Sequence, residues 1–299
     1  MKASAENPLS QKISMNPFVE FLKRHSLVMG LLLMFFYTWT IDLANSGVLP
    51  IRVPFAIYIT LGWGFIFASL LMTGLTLGKD SAIGLLKRFL IWRVGWEWYL
   101  AAFLFFPAIF GAAVLLNALI THTSIDFSGV FAHKIFGASA SLPIFILPFF
   151  IFDALTNGEE MGWRGYVLPR LQAKHSALVS SLILGVIWAL WHIPKFLIPG
   201  NTSSFALFMV KILADAILYT WLYNNTGGSL LLTTLFHASG NTAGAFLPMA
   251  NTVSGHNVNV LITAIVLEIF VAAGIVTFTG TERLSLRLPR QKQEIEAQG

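Results

Sequence analysis

Hydrophobic residues occur along this chain in blocks of about 20, separated by short polar segments or by Gly and Pro. A helix rises about 1.5 Å per residue, so a block of this length crosses the ~30 Å hydrocarbon core of a bilayer. The strands of a membrane β-barrel would instead alternate hydrophobic and polar positions. The pattern therefore predicts an all-α, polytopic membrane helical bundle of about eight transmembrane helices.

The predicted spans give the chain a simple domain organisation. They cover residues 26–45, 54–77, 98–120, 141–165, 176–198, 205–224, 229–250 and 258–279. We expect one transmembrane domain over residues 26–280, preceded by a polar segment, 1–25, and followed by a charged, mobile tail, 281–299. No small-residue cleavage pattern follows the first block, so the first span is expected to act as its own insertion signal.

The composition is consistent with a membrane helical bundle and excludes several functions. Hydrophobic residues make up 56% of the chain and charged residues only 11%, compared with roughly 25% charged in soluble domains. The formal charge is +5, but no basic run is interleaved with stacking aromatic residues, so no nucleic-acid partner is expected. The absence of cysteine excludes disulfides, thiolate metal sites and a cysteine nucleophile.

The distribution of basic residues predicts the orientation of the spans. Lysine and arginine cluster before span one, between spans two and three, near the turn between spans four and five, and after span eight. The alternate loops carry only Arg52, Lys134 and Lys195. Because cytoplasmic loops are enriched in basic residues, both termini are expected in the cytoplasm.

Residues 79–98 mix basic and bulky apolar side chains. This amphipathic pattern is typical of a helix that lies in the membrane interface. A flank of span three is the alternative, and the sequence leaves both open.

Ionisable side chains inside a span are costly in lipid, so each needs a partner, a water-filled cavity or a chemical role. The spans contain Asp153, Glu159, Glu160, Arg164, His192, Lys211, Asp215, His237 and Glu268. These residues are the candidates for function.

Two adjacent acids in span four are expected to have different roles. Glu160 and Arg164 are four residues apart with the acid first, which favours an ion pair that supports the site. Glu159 points about 100° away from its neighbour and has no local charged partner, so it is the candidate general base. The alternative is that all three form an ion-pair network that only holds helices together.

Two histidines and an asparagine complete the candidate set. His192 lies near the end of span five, one turn after Trp188, which could form a wall of the site. Taken alone, a histidine among tryptophans is more often a packing residue. His237 and Asn241 share one helical face and could hold a developing oxyanion, although interhelical hydrogen bonding is the alternative.

The other ionisable residues suggest different functions. Lys211 and Asp215 are four residues apart and are expected to neutralise each other. Asp153 and Glu268 have no partner nearby in the sequence and, with Asp215, would suit a proton-coupled carrier.

Together, three motifs resemble the CAAX protease and bacteriocin-processing (Abi) family of intramembrane glutamate endopeptidases. They are Glu159-Glu160-x-x-x-Arg164, Trp188-x-x-x-His192 and His237-x-x-x-Asn241, where Trp188 replaces the usual Phe. The resemblance implies that Glu159 and His192 activate a water, and that His237 and Asn241 stabilise the oxyanion. It also implies a peptide or protein substrate, membrane-associated or lipidated, and a location in a prokaryotic plasma membrane.

The sequence leaves alternatives open for metal dependence and for function. One Glu and two His could form a zinc site, but the chain lacks His-Glu-x-x-His, and Asn is a poor zinc ligand. We therefore expect a metal-independent peptidase with no cofactor, and zinc is the alternative. A non-catalytic immunity or scaffold protein and the proton-coupled carrier are the alternative functions.

Overall fold

The computed structural model describes residues 16–127, 130–137, 142–198, 201, 203–249 and 258–286. These residues form helices and contain no β-strand, which confirms the predicted all-α class. The α-helices are α1 (Pro17–Arg24), α2 (Ser26–Asn45), α3 (Phe55–Tyr58), α4 (Trp63–Leu77), α5 (Lys79–Lys87), α6 (Trp96–Thr121), α7 (Phe131–Phe136), α8 (Leu142–Thr156), α9 (Leu168–Gln172), α10 (Ala177–Trp191), α11 (Ile193–Phe196), α12 (Phe205–Asn225), α13 (Leu230–Phe246) and α14 (Val258–Thr279).

Four helices in the described part of the chain, α2, α6, α12 and α14, are long and apolar enough to cross a membrane. Helices α4, α8 and α10 are shorter but also apolar. This arrangement confirms a polytopic helical membrane bundle. Predicted spans two, four and five are each built from shorter helices in series, rather than from one continuous helix.

The interruptions in spans two and four contact each other. A Cβ atom added to Gly62 would lie 2.7 Å from the backbone nitrogen of Gly158, so the two chain segments approach closely only because both residues are glycine. The next helical turn begins directly after Gly158, where the side-chain oxygen of Asn157 accepts a hydrogen bond of 3.0 Å from the Glu159 N–H. The glycine contact therefore positions Glu159.

A π-helical segment, Met161–Val167, follows Glu160, and all of its residues are buried. Such wide turns occur often at functional sites. The Trp163 ring packs 4.7 Å from Phe65 and 6.2 Å from Trp191, between centroids. This aromatic cluster fixes the segment against α4 and α10.

Helix α13 packs against α6, α8 and α12, and α12 packs in turn against α10 and α14. Most of α13 is therefore inside the bundle, and His237 is buried there, whereas Asn241 is exposed. The Met161–Val167 segment contacts both α10 and α13, and each of these two helices contacts α12. The segments that carry the three motifs are therefore close to one another.

The expectation of a mobile tail from residue 281 is wrong for residues 281–285. The Ala177 N–H, at the start of α10, donates a 2.9 Å hydrogen bond to the Glu282 carbonyl. The Asn225 side-chain amide donates to the carbonyl of Leu284, whose side chain is fully buried. Polar groups left open at helix ends thus hold this segment. Residues 1–15 and 287–299 lie outside the described residues.

Of residues 79–98, only 96–98 belong to the helix of span three, and the rest is not a helical extension of it. Helix α5 and a short 3-10 turn, Arg88–Leu90, are separated from α6 by non-helical residues 91–95. Helix α5 packs against α4. Its position in the membrane interface stays a prediction.

Candidate active site

The Glu159 carboxylate is held by two tryptophans. Its Oε2 atom accepts hydrogen bonds from Nε1 of Trp163, at 3.2 Å, and from Nε1 of Trp188, at 3.1 Å. Its Oε1 atom accepts no hydrogen bond within the described part of the chain. These neutral donors were not predicted, although Trp163 lies four residues after Glu159 and therefore on the same helical face. One carboxylate oxygen is thus fixed by two hydrogen bonds.

Glu160 links Arg164 to His237. Its Oε1 atom lies 2.9 Å from Nη1 of Arg164, as the predicted ion pair requires, and 2.9 Å from Nδ1 of His237. All three side chains are buried. Because an ionised carboxylate only accepts hydrogen bonds, Nδ1 of His237 carries a proton. Glu160 therefore sets the ring orientation of His237, a role that the sequence did not predict.

The Arg164 guanidinium lies between two aromatic rings. Its central carbon is 4.1 Å from the ring centroid of Tyr219 and 4.5 Å from that of Trp188. Contacts with ring faces stabilise a cation that has little access to water. They explain how a fully buried arginine is tolerated with a single carboxylate partner.

His192 has a defined tautomer. Its Nδ1 atom lies 2.9 Å from the backbone carbonyl oxygen of Trp188. A carbonyl oxygen only accepts, so Nδ1 donates and Nε2 of the neutral ring is unprotonated. The ring packs at 4.6 Å from Trp191 and 4.8 Å from Phe208, between centroids. Nε2 is therefore the atom of His192 that could accept a proton or a hydrogen bond.

Asn241 is paired with Asp153. The amide nitrogen lies 3.0 Å and 3.2 Å from the two carboxylate oxygens, so Asp153 orients the side chain expected to bind an oxyanion. The amide nitrogen has two hydrogens, which allows it to contact Asp153 and a further acceptor. Asp153 and Asn241 are 88 residues apart, and no local pattern predicts the contact.

Trp188 is the common neighbour of the candidate residues. In addition to its hydrogen bond to Glu159, its ring centroid lies 6.3 Å from that of His192 and 5.9 Å from that of His237. A phenylalanine here, as in the family pattern, would keep the ring contacts but would have no N–H to donate. Trp188 thus forms the predicted wall and also positions Glu159.

A cavity of about 740 Å³ adjoins this cluster. Polar and charged lining residues include Asp153, His192, His237 and Asn241, and Trp188 lines it as well. Glu159 is 8% exposed and does not line the cavity, but it contacts Trp188, which does. The remaining wall is largely apolar and includes Phe106, Phe110, Phe149, Phe196, Phe208, Ile212 and Met249.

A second set of charged residues, Lys211 and Asp215, also lines the cavity. Nζ of Lys211 lies 2.7 Å from Asp215, the predicted pair, and 3.3 Å from Glu268. The acids that favoured a proton-coupled carrier are thus each in contact with a partner, Asp153 through Asn241 and the other two through Lys211. The structure provides no further support for that function.

A carboxylate, two imidazoles and a carboxamide thus lie close together near a cavity whose wall is largely apolar. Residues 139–243 match the family model for type II CAAX prenyl endopeptidase Rce1-like, and all three motifs lie within this match. Over 146 residues, the chain is 30% identical to CAAX prenyl protease 2 of Methanococcus maripaludis. This match covers 45% of the chain and 51% of the relative.

The chain thus spans about half the length of the curated relative that it matches. The resemblance to the CAAX protease family, predicted from the motifs, is confirmed for this part of the chain. This is a family of proteases, and the apolar helices identify the chain as an integral membrane protein.

Proposed function

We propose that this protein is an intramembrane endopeptidase that hydrolyses a peptide bond with water activated by Glu159. The observation that carries the proposal is the convergence of Glu159, His192 and His237 on Trp188, a residue in the cavity wall. If His192 and His237 were packing residues alone, they would not need to share a tryptophan that donates a hydrogen bond to Glu159.

The proposed reaction begins with a water between Glu159 and His192. Oε1 of Glu159 accepts a proton from this water while Nε2 of His192 accepts a hydrogen bond from it, and the oxygen attacks the peptide carbonyl. The two indole N–H groups hold Oε2 of Glu159 in place. The C–N bond then breaks as Glu159 returns the proton to the leaving nitrogen.

The developing oxyanion is proposed to bind to His237 and Asn241. Because Nδ1 of His237 already donates to Glu160, the ring donates from Nε2 only when it is doubly protonated, and the Glu160 carboxylate stabilises that imidazolium. The Asn241 amide, oriented by Asp153, is the second donor. Two oriented donors could supply a few kcal/mol of transition-state stabilisation.

The proposed substrate is a membrane-associated peptide or protein that carries an apolar group. The curated relative is named a prenyl protease, and the cavity here has a predominantly aromatic and aliphatic wall. A farnesylated peptide with a C-terminal CAAX sequence is the first probe. We expect the purified protein to cleave it and a Glu159→Gln variant not to do so.

The reaction is proposed to need no metal. Within the described residues, no group of three or more His, Cys, Asp and Glu side chains could hold a metal ion. Incubation of the purified protein with EDTA or 1,10-phenanthroline should leave the cleavage rate within about twofold. Loss of activity that zinc restores would contradict this proposal.

The Trp188→Phe substitution isolates the hydrogen bond to Glu159. It keeps an aromatic ring near both histidines and removes the N–H donor. A hydrogen bond to a charged group contributes about 1.5–3 kcal/mol, so we expect kcat to fall roughly tenfold or more. Rates should be measured beside Trp221→Phe, a tryptophan that packs on Trp98 away from the cavity. Equal rates in the two variants would assign Trp188 to packing alone.

A further inference from the structure

A second cavity, of about 680 Å³, is separate from the candidate active site. In the described part of the chain, none of its lining residues belongs to the three motifs. The lining includes Gly95, just before α6, Ala177, at the start of α10, Asn225, at the end of α12, and Glu282, which follows α14. Helices α6, α12 and α14 are long and apolar enough to cross a membrane. Because all three begin or end near this cavity, it lies at the level where the hydrocarbon core gives way to headgroups.

The segment just before α6 carries side chains typical of that level. Trp92 is 56% exposed and Trp96, the first residue of α6, is 73% exposed. Tryptophan is enriched where a membrane meets water, because its ring is apolar and its N–H is polar. Arg93 and Gly95, which lie between these tryptophans in the sequence, both line the cavity. The cavity therefore opens beside lipid headgroups.

The charged part of the cavity wall is mainly cationic. Arg93 and Arg283 line it and are exposed, and Glu282 is the only acidic lining residue in the described part of the chain. A third guanidinium, that of Arg88, donates a hydrogen bond to the hydroxyl of Tyr223, which lines the cavity as well. Neither Arg93 nor Arg283 forms an ion pair with another described residue. Two guanidinium groups are thus available to an anion.

Both of these arginines lie on backbone that is held in place. The carbonyl of Trp92 accepts a 2.7 Å hydrogen bond from the Tyr99 hydroxyl, and the guanidinium carbon of Arg93 lies 5.1 Å from the Trp92 ring centroid. The carbonyl of Arg283 accepts a 2.7 Å hydrogen bond from the Asn224 side chain. Less freedom is therefore lost when an anion binds between them.

The uncharged part of the wall is divided between polar and apolar side chains. His175 and Gln172 line the cavity and can donate hydrogen bonds to phosphate or glycerol oxygens. Ile91 and Val94 provide apolar contacts on the segment that carries the exposed tryptophans. This combination suits a molecule with a polar, anionic head and an apolar remainder.

We propose that this cavity binds the phosphate group of an anionic phospholipid, with Arg93 and Arg283 as its cationic ligands. Guanidinium groups match the geometry of phosphate oxygens, and basic pockets between membrane helices bind phospholipid headgroups. A soluble phosphate ester has the same phosphate chemistry, but the position beside the exposed tryptophans favours a lipid. The bound headgroup would connect the segment before α6 to the segment after α14 and so stabilise the fold. This site does not depend on peptide cleavage, and it can be tested in an inactive protein.

Lipid titration of the purified protein tests the site. Native mass spectrometry counts bound phosphatidylglycerol, and phosphatidylcholine with the same acyl chains is the zwitterionic comparison. We expect the wild type to retain phosphatidylglycerol at least tenfold more tightly than phosphatidylcholine and to melt several degrees higher in its presence. The double variant Arg93→Gln with Arg283→Gln should lose most of this preference and of this stabilisation.

The matched control is the double variant Arg24→Gln with Arg52→Gln. It removes the same charge at exposed positions that do not line the cavity, and it should behave as the wild type does. Arg93→Gln alone, which leaves residues 281–285 unchanged, should weaken phosphatidylglycerol binding at least threefold. This single variant provides the test if the double variant does not fold.

Three results would overturn the proposal. The first is equal affinity of the wild type for the two lipids, and the second is an unchanged preference for phosphatidylglycerol in the cavity variants. The third concerns the source of the phosphate: glycerol 1-phosphate, added without lipid, should raise the melting temperature by less than a degree at millimolar concentration. If it stabilises the wild type as much as phosphatidylglycerol does, the ligand is a soluble phosphate ester and not a lipid.

Discussion

The Glu159→Gln variant is expected to fold as the wild type does and to lose at least about a hundredfold in kcat. General-base catalysis contributes roughly 10²–10⁴ to a rate, and no other carboxylate contacts Trp188 in the described residues. The glutamine oxygen can still accept hydrogen bonds from Trp163 and Trp188, so the local packing should persist. Cleavage of the farnesylated peptide by the purified variant measures the loss.

A matched control for this variant is Glu282→Gln, which makes the same chemical change at an exposed position that does not line the 740 Å³ cavity. It should retain the wild-type rate within about twofold. The two variants should also share a melting temperature in detergent within a few degrees. Retention of more than a tenth of the wild-type activity by Glu159→Gln would remove Glu159 from the role of general base.

The Arg164→Met variant is expected to have the largest effect on stability, lowering the free energy of unfolding by about 3 kcal/mol or more. Removal of one partner of a buried ion pair leaves the other charge uncompensated, and Glu160 is only 1% exposed. His237 is the remaining contact of that carboxylate, at 2.9 Å. Unfolding by denaturing detergent in mixed micelles measures the change, with the exposed Lys174→Met as a control expected to be near neutral.

A double variant, Glu160→Gln with Arg164→Met, separates charge burial from packing. It leaves no isolated buried charge, so it should be more stable than Arg164→Met alone by about 1 kcal/mol or more, which is non-additive behaviour. Its activity should stay low because His237 loses the carboxylate that orients it. Equal destabilisation of the single and double variants would show that packing, rather than charge pairing, is the function of Arg164.

The helical architecture could be predicted largely from the apolar blocks, because the length of a membrane span follows from the thickness of the bilayer. The contact between Gly62 and Gly158 could not be predicted in this way. Both glycines lie within or beside continuous apolar pattern, and their importance depends on a tertiary approach that only the folded structure shows. The same reason explains the bound segment 281–285, whose partners are helix ends elsewhere in the chain.

Whether a side-chain pair could be predicted depends on how far apart its two residues are in the sequence. The pairs Glu160 with Arg164 and Lys211 with Asp215 could be predicted because residues four apart share a helical face. The contact of His237 with Glu160 could not be predicted, because 77 residues separate the two and no periodicity connects separate helices.

Trp188 is the residue for which the structure adds most to what the sequence predicts. The family pattern suggested only an aromatic wall, because phenylalanine usually occupies this position. The structure adds an N–H donor that fixes one oxygen of Glu159. A substitution that keeps the aromatic class thus supplies a polar contact that the usual residue lacks.

The most direct test of the central claim is a single turnover of the farnesylated peptide in ¹⁸O-labelled water, with mass spectrometry of the shortened product. If Glu159 activates water, the wild-type protein will release a product with one ¹⁸O in its new carboxylate, and the Glu159→Gln variant will release almost none. Product without the label in the first turnover, or equal product from both proteins, would contradict the account.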